Sequence, residues 1–392
     1  MTTHEDLRAH FLLDPDVFFL NHGSFGACPR PVFEAYQRWQ LELERQPVEF
    51  LGRRHDLLLD EAREQIGRYL NADADCLAFV PNTTVGINAV ARSLALSPGD
   101  EILATDHEYG AIDYTWDYIC GQTGARYVHQ PMPVPMTTAE AFVDAFWSGV
   151  NERTRVISIS HVTSPTALIF PIAPILARAR AAGIITVVDG AHAPGQIPVD
   201  LAALDADFYS GNFHKWLCAP KGAGFLYAAR PFHKQLVPPT ISWGWSSEAS
   251  FVSKMQYQGT RDIAAFLAVS AAITFQETHR WSDVRERCHA LASEARARIG
   301  TLTGLTPIQP DSADWYGQMV TLPLPACDTD SLKRRLYDEY RVEAPMVVWN
   351  ERPYIRVSFQ GYNSGTDLDQ LEMALAALLP QVRLSSPVRE TH

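Results

Sequence analysis

Short apolar runs, each followed by a polar cluster, constrain the fold of this chain more than any other feature. Cys76-Leu-Ala-Phe-Val80 leads into Pro81-Asn-Thr-Thr84, where a helix to about residue 96 begins. Asp100-Glu-Ile-Leu-Ala-Thr105 ends in Asp106-His-Glu-Tyr109, and Arg155-Val-Ile-Ser-Ile-Ser160 in His161-Val-Thr163. Ile184-Ile-Thr-Val-Val188 runs into Asp189-Gly-Ala-His192. Strands this apolar on successive residues are buried on both faces, so the alternation with helices predicts an α/β fold with a mainly parallel sheet. Ligands of such sheets gather beyond the carboxyl ends of the strands, which is where the polar clusters fall.

At 392 residues the chain exceeds one typical core. After about residue 262 the texture changes to a long helical stretch over 263–299, then to a smaller α+β pattern. The expected organisation is an N-terminal arm (1–20) packing with the small domain, a large domain (21–262) and a small C-terminal domain (263–392), with a polar tail from about Ser385. Near the start, Val32, Ala35, Trp39 and Leu43 at helical spacing predict a helix to about residue 45, and Leu58, Ala62, Ile66 and Leu70 another from about residue 54. The net charge of −12 argues against nucleic acid as a partner. Six scattered cysteines, with no CxxC pair and no His/Cys cluster, predict a reducing compartment and no metal site. The start lacks the pattern of a signal peptide, and no apolar run reaches the length of a membrane span. The expected location is cytoplasmic.

The stretch Asp207-Phe-Tyr-Ser-Gly-Asn-Phe-His-Lys215-Trp carries the chemistry. A strand ending at Tyr209 is followed by a tight Ser210-Gly-Asn212 segment and then by Lys215 between Phe213 and Trp216. Desolvation there lowers an amine's pKa and keeps it nucleophilic, as a Schiff-base lysine requires. A loop lysine with a snorkelling stem is the alternative. Pyridoxal phosphate needs an amine for its aldehyde, a carboxylate for its ring nitrogen, donors for its phosphate and a flat partner for its ring. Asp189, at the end of an apolar strand, suits the ring nitrogen or serves as a helix cap. Thr83 and Thr84 start a helix, where unpaired N–H groups favour a phosphate, though simple caps look the same. Ser210 and His214 add further donors, and Tyr109 suits the ring face or plain packing.

Val188-Asp-Gly-Ala-His192, Ser210-Gly-Asn-Phe-His-Lys215-Trp with Lys221-Gly-Ala-Gly-Phe-Leu-Tyr227, and Gln258-Gly-Thr-Arg-Asp262 resemble class V aminotransferase-type pyridoxal phosphate enzymes. Leu20-Asn-His-Gly-Ser-Phe-Gly26, Pro47-Val-Glu-Phe-Leu51 and Asn212-Phe-His-Lys-Trp-Leu-Cys-Ala-Pro-Lys-Gly222 are similar to the isopenicillin N epimerase branch. The resemblance covers about residues 18–363 and implies the fold of type I pyridoxal phosphate-dependent transferases. It implies Lys215 as the Schiff-base lysine, Asp189 on the ring nitrogen and Tyr109 stacked on the ring. His192 and Thr163 would lie near the phenolic oxygen, with Thr83, Thr84, Ser210 and His214 on the phosphate. Thr260 would reach the phosphate of a neighbouring subunit, which implies a homodimer. Arg356 would clamp the carboxylate of a small amino-acid-type substrate, with Asn21 and His22 as further substrate-binding candidates. Strand alternation fits, since Arg356 and Ser358 share the face opposite Ile355, Val357 and Phe359. A surface ion pair is the alternative for Arg356.

Cysteine desulfurases carry a nucleophilic cysteine shortly before the arginine strand, whereas Val342-Glu-Ala-Pro-Met-Val-Val-Trp-Asn-Glu-Arg-Pro353 has none. The expectation is an epimerase-like enzyme that removes a Cα proton with Lys215 and returns one through Tyr109 or the Trp243-Gly-Trp245 loop. A C–S lyase acting by β-elimination is the alternative, and a non-catalytic binding protein a third reading.

Overall fold

The computed structural model describes residues 4–246 and 248–384, so the expected tail from Ser385 lies outside the described residues. Among these, the main sheet consists of β1 (Leu77–Val80), β2 (Glu101–Thr105), β3 (Arg126–Gln130), β4 (Thr154–Ser160), β5 (Ile185–Gly190), β6 (Phe208–Asn212) and β7 (Gly224–Ala228). The strand order is β1-β7-β6-β5-β4-β2-β3. β7 pairs antiparallel with both neighbours, and the other pairs are parallel.

The apolar runs divide between two cores by the two-residue period of a strand. Leu77, Phe79, Leu103, Ile157, Val188, Tyr209 and Phe225 face one side. Ala78, Val80, Ile102, Val156, Val187, Phe208 and Leu226 face the other. The first side is covered partly by α1 (Arg30–Arg45) and α2 (His55–Leu70), through Val32, Leu59 and Ile66. The second is covered by α3 (Thr83–Ser93) and α4 (Gly110–Thr123), through Ile87, Val90, Ile112 and Trp116. The apolar runs of the central strands are thus continuous because both of their faces are buried.

Several boundaries differ from expectation. The Ser210-Gly-Asn212 segment belongs to β6, because Ser210, Gly211 and Asn212 complete the ladder with Leu226, Phe225 and Gly224 of β7; the loop starts three residues later than expected, at Phe213. The stretch expected to be one helix over 263–299 is broken into Ala264–Leu267, α5 (Val269–Thr278) and α6 (Trp281–Thr303). Arg280, at φ 51°, is the left-handed residue that stops the α-helical path before α6. β3 escaped the sequence reading because it is an edge strand of mixed exposure, without a continuous apolar run.

Toward the C-terminus, β8 (Met319–Pro323), β9 (Met346–Trp349) and β10 (Arg352–Ser358) form an antiparallel sheet in the order β9-β10-β8. The apolar cluster on the first face of the main sheet continues without a break into this region through Val269, Trp281, Ile355 and Leu371. Near the N-terminus, Phe18–Phe19 pairs in parallel with Val342–Glu343, and the Ser358 N–H donates to the Leu20 carbonyl at 2.9 Å. Residues 21–26 are thereby drawn between β10 and the loop that carries Lys215. Gly26, at φ 70°, presses so closely there that a Cβ would sit 1.9 Å from the His214 carbonyl oxygen.

Candidate active site

The carboxyl ends of β1, β2, β4, β5 and β6 surround a cavity of about 210 Å³ whose wall includes Thr83, Thr84, Tyr109, Asp189, His192, His214 and Lys215. A wider depression of about 610 Å³ near Arg68 and Arg230 has no lysine or histidine in its wall. Chemistry therefore selects the smaller one.

Lys215 is only half-buried, because the cavity opens onto its amine, yet protein surrounds it closely. Desolvation, with the Arg356 charge acting in the same direction and Asp189 opposing it, lowers its pKa to about 7. A large fraction of the amine is then uncharged near neutral pH, as a nucleophile must be. Its Nζ lies 3.0 Å from His192 Nε2. Below it, His22 Nε2 donates to the Lys215 carbonyl at 3.0 Å, which holds the backbone of the loop.

Asp189 is buried at the end of β5, and its Oδ1 accepts the Ala191 N–H at 2.8 Å. Burial raises its pKa, against that hydrogen bond and the nearby Lys215. A carboxylate so desolvated favours a cationic N–H partner.

The start of α3 decides between phosphate donor and simple cap. Asn82 is the N-cap, accepting the Val85 N–H at 3.0 Å, and Asn212 Oδ1 accepts the Thr83 N–H at 2.9 Å. With capping done by asparagine, Thr83 Oγ1 is left buried in the cavity wall without a hydrogen-bond partner. An orphaned hydroxyl of this kind calls for a ligand acceptor. His214 Nδ1 donates to the Ala223 carbonyl at 3.2 Å. Tyr109, at the N-cap of α4, is 47 % exposed. A desolvated amine, a buried carboxylate, an unpaired hydroxyl at a helix start and an available aromatic face together fit pyridoxal phosphate.

Arg356 is buried on β10 and reaches the cavity through two of its wall residues. Its Nη1 donates to the Ser164 carbonyl at 2.6 Å and its Nη2 to Ser24 Oγ at 3.0 Å, while its Nε has no partner. Burial lowers its pKa to about 10, so it remains a cation near neutral pH. These hydrogen-bond partners are neutral, which leaves its charge available to a ligand carboxylate.

Other expected residues lie elsewhere. Ser210 is covered by α3, where a Cβ on Gly86 would lie 2.2 Å from its Oγ, and it donates to the Phe225 carbonyl at 2.7 Å. Thr163 is buried in hydrogen bonds with Thr166 and Leu168. Asn21 Nδ2 donates to Glu343 and His22 bridges Tyr362 and Lys215, so both support the site from outside the wall. Thr260 is exposed and outside the wall of its own chain's cavity. Conversely, Asn82, Asn212, Ser24 and Ser164 were missed. The cap preference of asparagine before a helix is the signal that would have found Asn82.

Glu108, next to Tyr109, is a buried carboxyl that accepts Thr105 Oγ1 at 2.7 Å and Ser160 Oγ at 2.5 Å. Burial pushes its pKa up to about 7, with Asp189 and Asp113 adding to the shift and both hydroxyls opposing it. Between the unfolded value of 4.5 and about 7, the folded chain holds a proton that the unfolded chain has released. Stability contributed by this group is therefore lost as pH rises through that window, by about 3 kcal/mol in total. Glu108→Gln in the cofactor-free protein is expected to raise the melting temperature by several degrees at pH 8 and to change it little at pH 4.5, as calorimetry at the two pH values would show.

The aminotransferase class-V family model matches residues 27–371. The chain belongs to the aminotransferase class-V family. Isopenicillin N epimerases from Amycolatopsis lactamdurans and Streptomyces clavuligerus are 37% and 36% identical to it, over 96% and 95% of this chain and 99% and 98% of theirs. A probable chloroplastic L-cysteine desulfhydrase from Arabidopsis thaliana is 28% identical over 93% of this chain and 84% of its own. Among solved structures, an Escherichia coli cysteine desulfurase superposes with a TM-score of 0.81 at 24% identity, covering 97% of this chain and 100% of that one. That likeness is one of fold. The class-V match supports the type I fold and the pyridoxal phosphate expected from the motifs.

Proposed function

We propose that this chain is a pyridoxal phosphate-dependent epimerase of an amino-acid-type substrate. The observation that carries this reading is similarity to isopenicillin N epimerases over nearly the whole of both chains. Bound pyridoxal phosphate supplies an electron sink for the pair left when a Cα–H bond breaks. Lys215 anchors the cofactor, Asp189 holds its ring nitrogen, and Tyr109 covers the ring. Thr83, Thr84 and His214 receive the phosphate together with Asn212, and His192 serves the phenolic side. Arg356 orients the substrate carboxylate beside Ser24 and Ser164. Lys215 Nζ, uncharged in a large fraction near neutral pH, would be the base for the Cα proton.

Of the two candidates for returning a proton, Tyr109 is in the cavity wall, whereas Trp243 lines a separate depression. An indole also offers no proton that titrates in water, which favours the Tyr109 hydroxyl. In the same reading two chains pair in the cytoplasm, and the exposed Thr260 of each serves the other's phosphate site.

The L-cysteine desulfhydrase relatives support a second reading, β-elimination from a cysteine-type substrate. A persulfide route is disfavoured. The segment before β10 contains no cysteine, and Cys327 is buried, with its thiol pKa raised by that burial.

Incubation with amino acids in deuterated water separates these readings. Solvent deuterium at Cα with both enantiomers formed, and no keto acid or ammonia, is the expected result. Release of a keto acid and sulfide from cysteine would replace the epimerase reading with the lyase.

A further inference from the structure

Trp216 follows the lysine directly and is fully buried, yet its indole N–H points back toward the site. Its Nε1 lies 3.2 Å from His192 Nδ1, and His192 Nε2 lies 3.0 Å from Lys215 Nζ. We propose that Trp216 is a positioning residue: its N–H fixes His192 as the Nε2–H tautomer, and that tautomer holds the Lys215 amine as an uncharged acceptor.

An indole N–H is a donor only. His192 Nδ1 must therefore present its lone pair to Trp216, and a neutral imidazole then carries its proton on Nε2. That N–H faces Lys215 Nζ, which can accept it only as –NH₂. An ammonium there would bring N–H against N–H. Rescuing the ammonium by moving the proton to Nδ1 would turn that N–H against the indole N–H instead. A flipped imidazole would place carbon at both contacts, so the two nitrogen contacts together set the ring orientation.

The indole cannot easily move aside. The Trp216 carbonyl accepts Gln276 Nε2 at 2.7 Å, and a Cβ on Gly195 would lie 2.3 Å from the Trp216 carbonyl carbon. The His22 ring packs 5.1 Å from the indole, centroid to centroid. His192 is itself buried, where water competes poorly for either nitrogen.

The charged and titratable groups around the pair act in the same direction, with one exception. His192 is held neutral by burial first, then by Lys215, Arg356, His214 and His22. Lys215 faces Arg356, with Asp189 the group that favours its charged form. The relay therefore adds a directional contact to a site that already disfavours an ammonium. When the amine lone pair is engaged elsewhere, the same Nε2–H is free for an acceptor on the phenolic side of the cofactor. This functional meaning rests on Lys215 being the cofactor lysine, whereas the tautomer itself does not.

The test uses the full-length chain with cofactor removed. Nitrogen-15 NMR of labelled histidine, with His192 assigned by the signal lost in His192→Gln, is expected to show an unprotonated Nδ1 and a protonated Nε2. A protonated Nδ1 overturns the proposal without recourse to any Trp216 variant. The pH dependence of Lys215 acylation is the second readout. Trp216→Phe, which keeps an aromatic ring, is expected to raise the apparent amine pKa by about one unit, the worth of one hydrogen bond. In a His192→Gln background the same change should have no effect. An unshifted pKa in Trp216→Phe, or an equal shift in both backgrounds, means that the indole acts only by packing. If cofactor never attaches to Lys215, the proposed function fails while the tautomer remains measurable.

Discussion

Lys215→Ala is expected to abolish the Schiff-base absorbance band of added pyridoxal phosphate and to lower turnover by at least about 10³-fold, because anchoring and proton transfer are lost together. The fold should survive, since the side chain makes one hydrogen bond, to His192, and lies at the mouth of a cavity rather than in a packed core. In the unaltered protein the sign of the pH effect follows from the amine. With a pKa near 7, the ammonium dominates below that pH, so cofactor capture should slow as pH falls through 7 and level off above it. Absorbance after mixing with pyridoxal phosphate at a series of pH values measures both effects. An absorbance band of unchanged intensity in Lys215→Ala would remove the foundation of the functional reading.

Arg356→Met is expected to cost about 10²-fold or more in kcat/KM, mainly through KM, because a charge-assisted carboxylate contact is lost from a buried site. Arg356→Lys should recover only part of this. A lysine retains the charge without the planar fork, and Nη1 and Nη2 currently reach two different serines. Cofactor binding should be unchanged in Arg356→Lys, which keeps the charge beside Lys215, and in Arg356→Met only the pH dependence of capture should move, upward. Steady-state kinetics with an amino acid, set beside Cα–H exchange in the corresponding amine lacking the carboxylate, distinguishes recognition from general damage. At alkaline pH, where the Lys215 amine is uncharged with or without the Arg356 charge, the amine should react equally slowly with all three proteins.

The expected residues that the structure gathers share one property: each lies at the end of an apolar strand, within a few residues beyond it, or at the start of a helix. Asp189, His192, Tyr109, Thr83, Thr84, His214 and Lys215 all meet that description, and all lie in one cavity wall. Ser210 illustrates the failure. It and Asn212 share a face of β6 by the two-residue period, but Gly86 allows α3 to lie directly on Ser210. Only Asn212, one step further along, emerges at the cavity. Asn21 and His22 fail for a related reason. The Gly-punctuated loop was visible as a loop, but Ser24 and Phe25 face the cavity while Asn21 and His22 turn toward Glu343, Tyr362 and the Lys215 carbonyl. Which side of a loop faces a ligand is set by its long-range partners.

What the sequence by itself determined was the α/β alternation, the gathering of polar groups at the strand ends and the lysine that the proposed function makes the anchor. These follow from local periodicity and from the cost of leaving polar side chains among apolar ones. What only the tertiary structure decided was the state of the groups. The amine's lowered pKa comes from burial and from Arg356, which is 141 positions away in the chain; the free Thr83 hydroxyl comes from capping by Asn82, and its N–H is held by Asn212. The tautomer of His192 comes from an indole that the sequence places beside the lysine, without saying which way it points. Desolvation and hydrogen-bond direction depend on what surrounds an atom in space, and spacing along the chain carries no record of that.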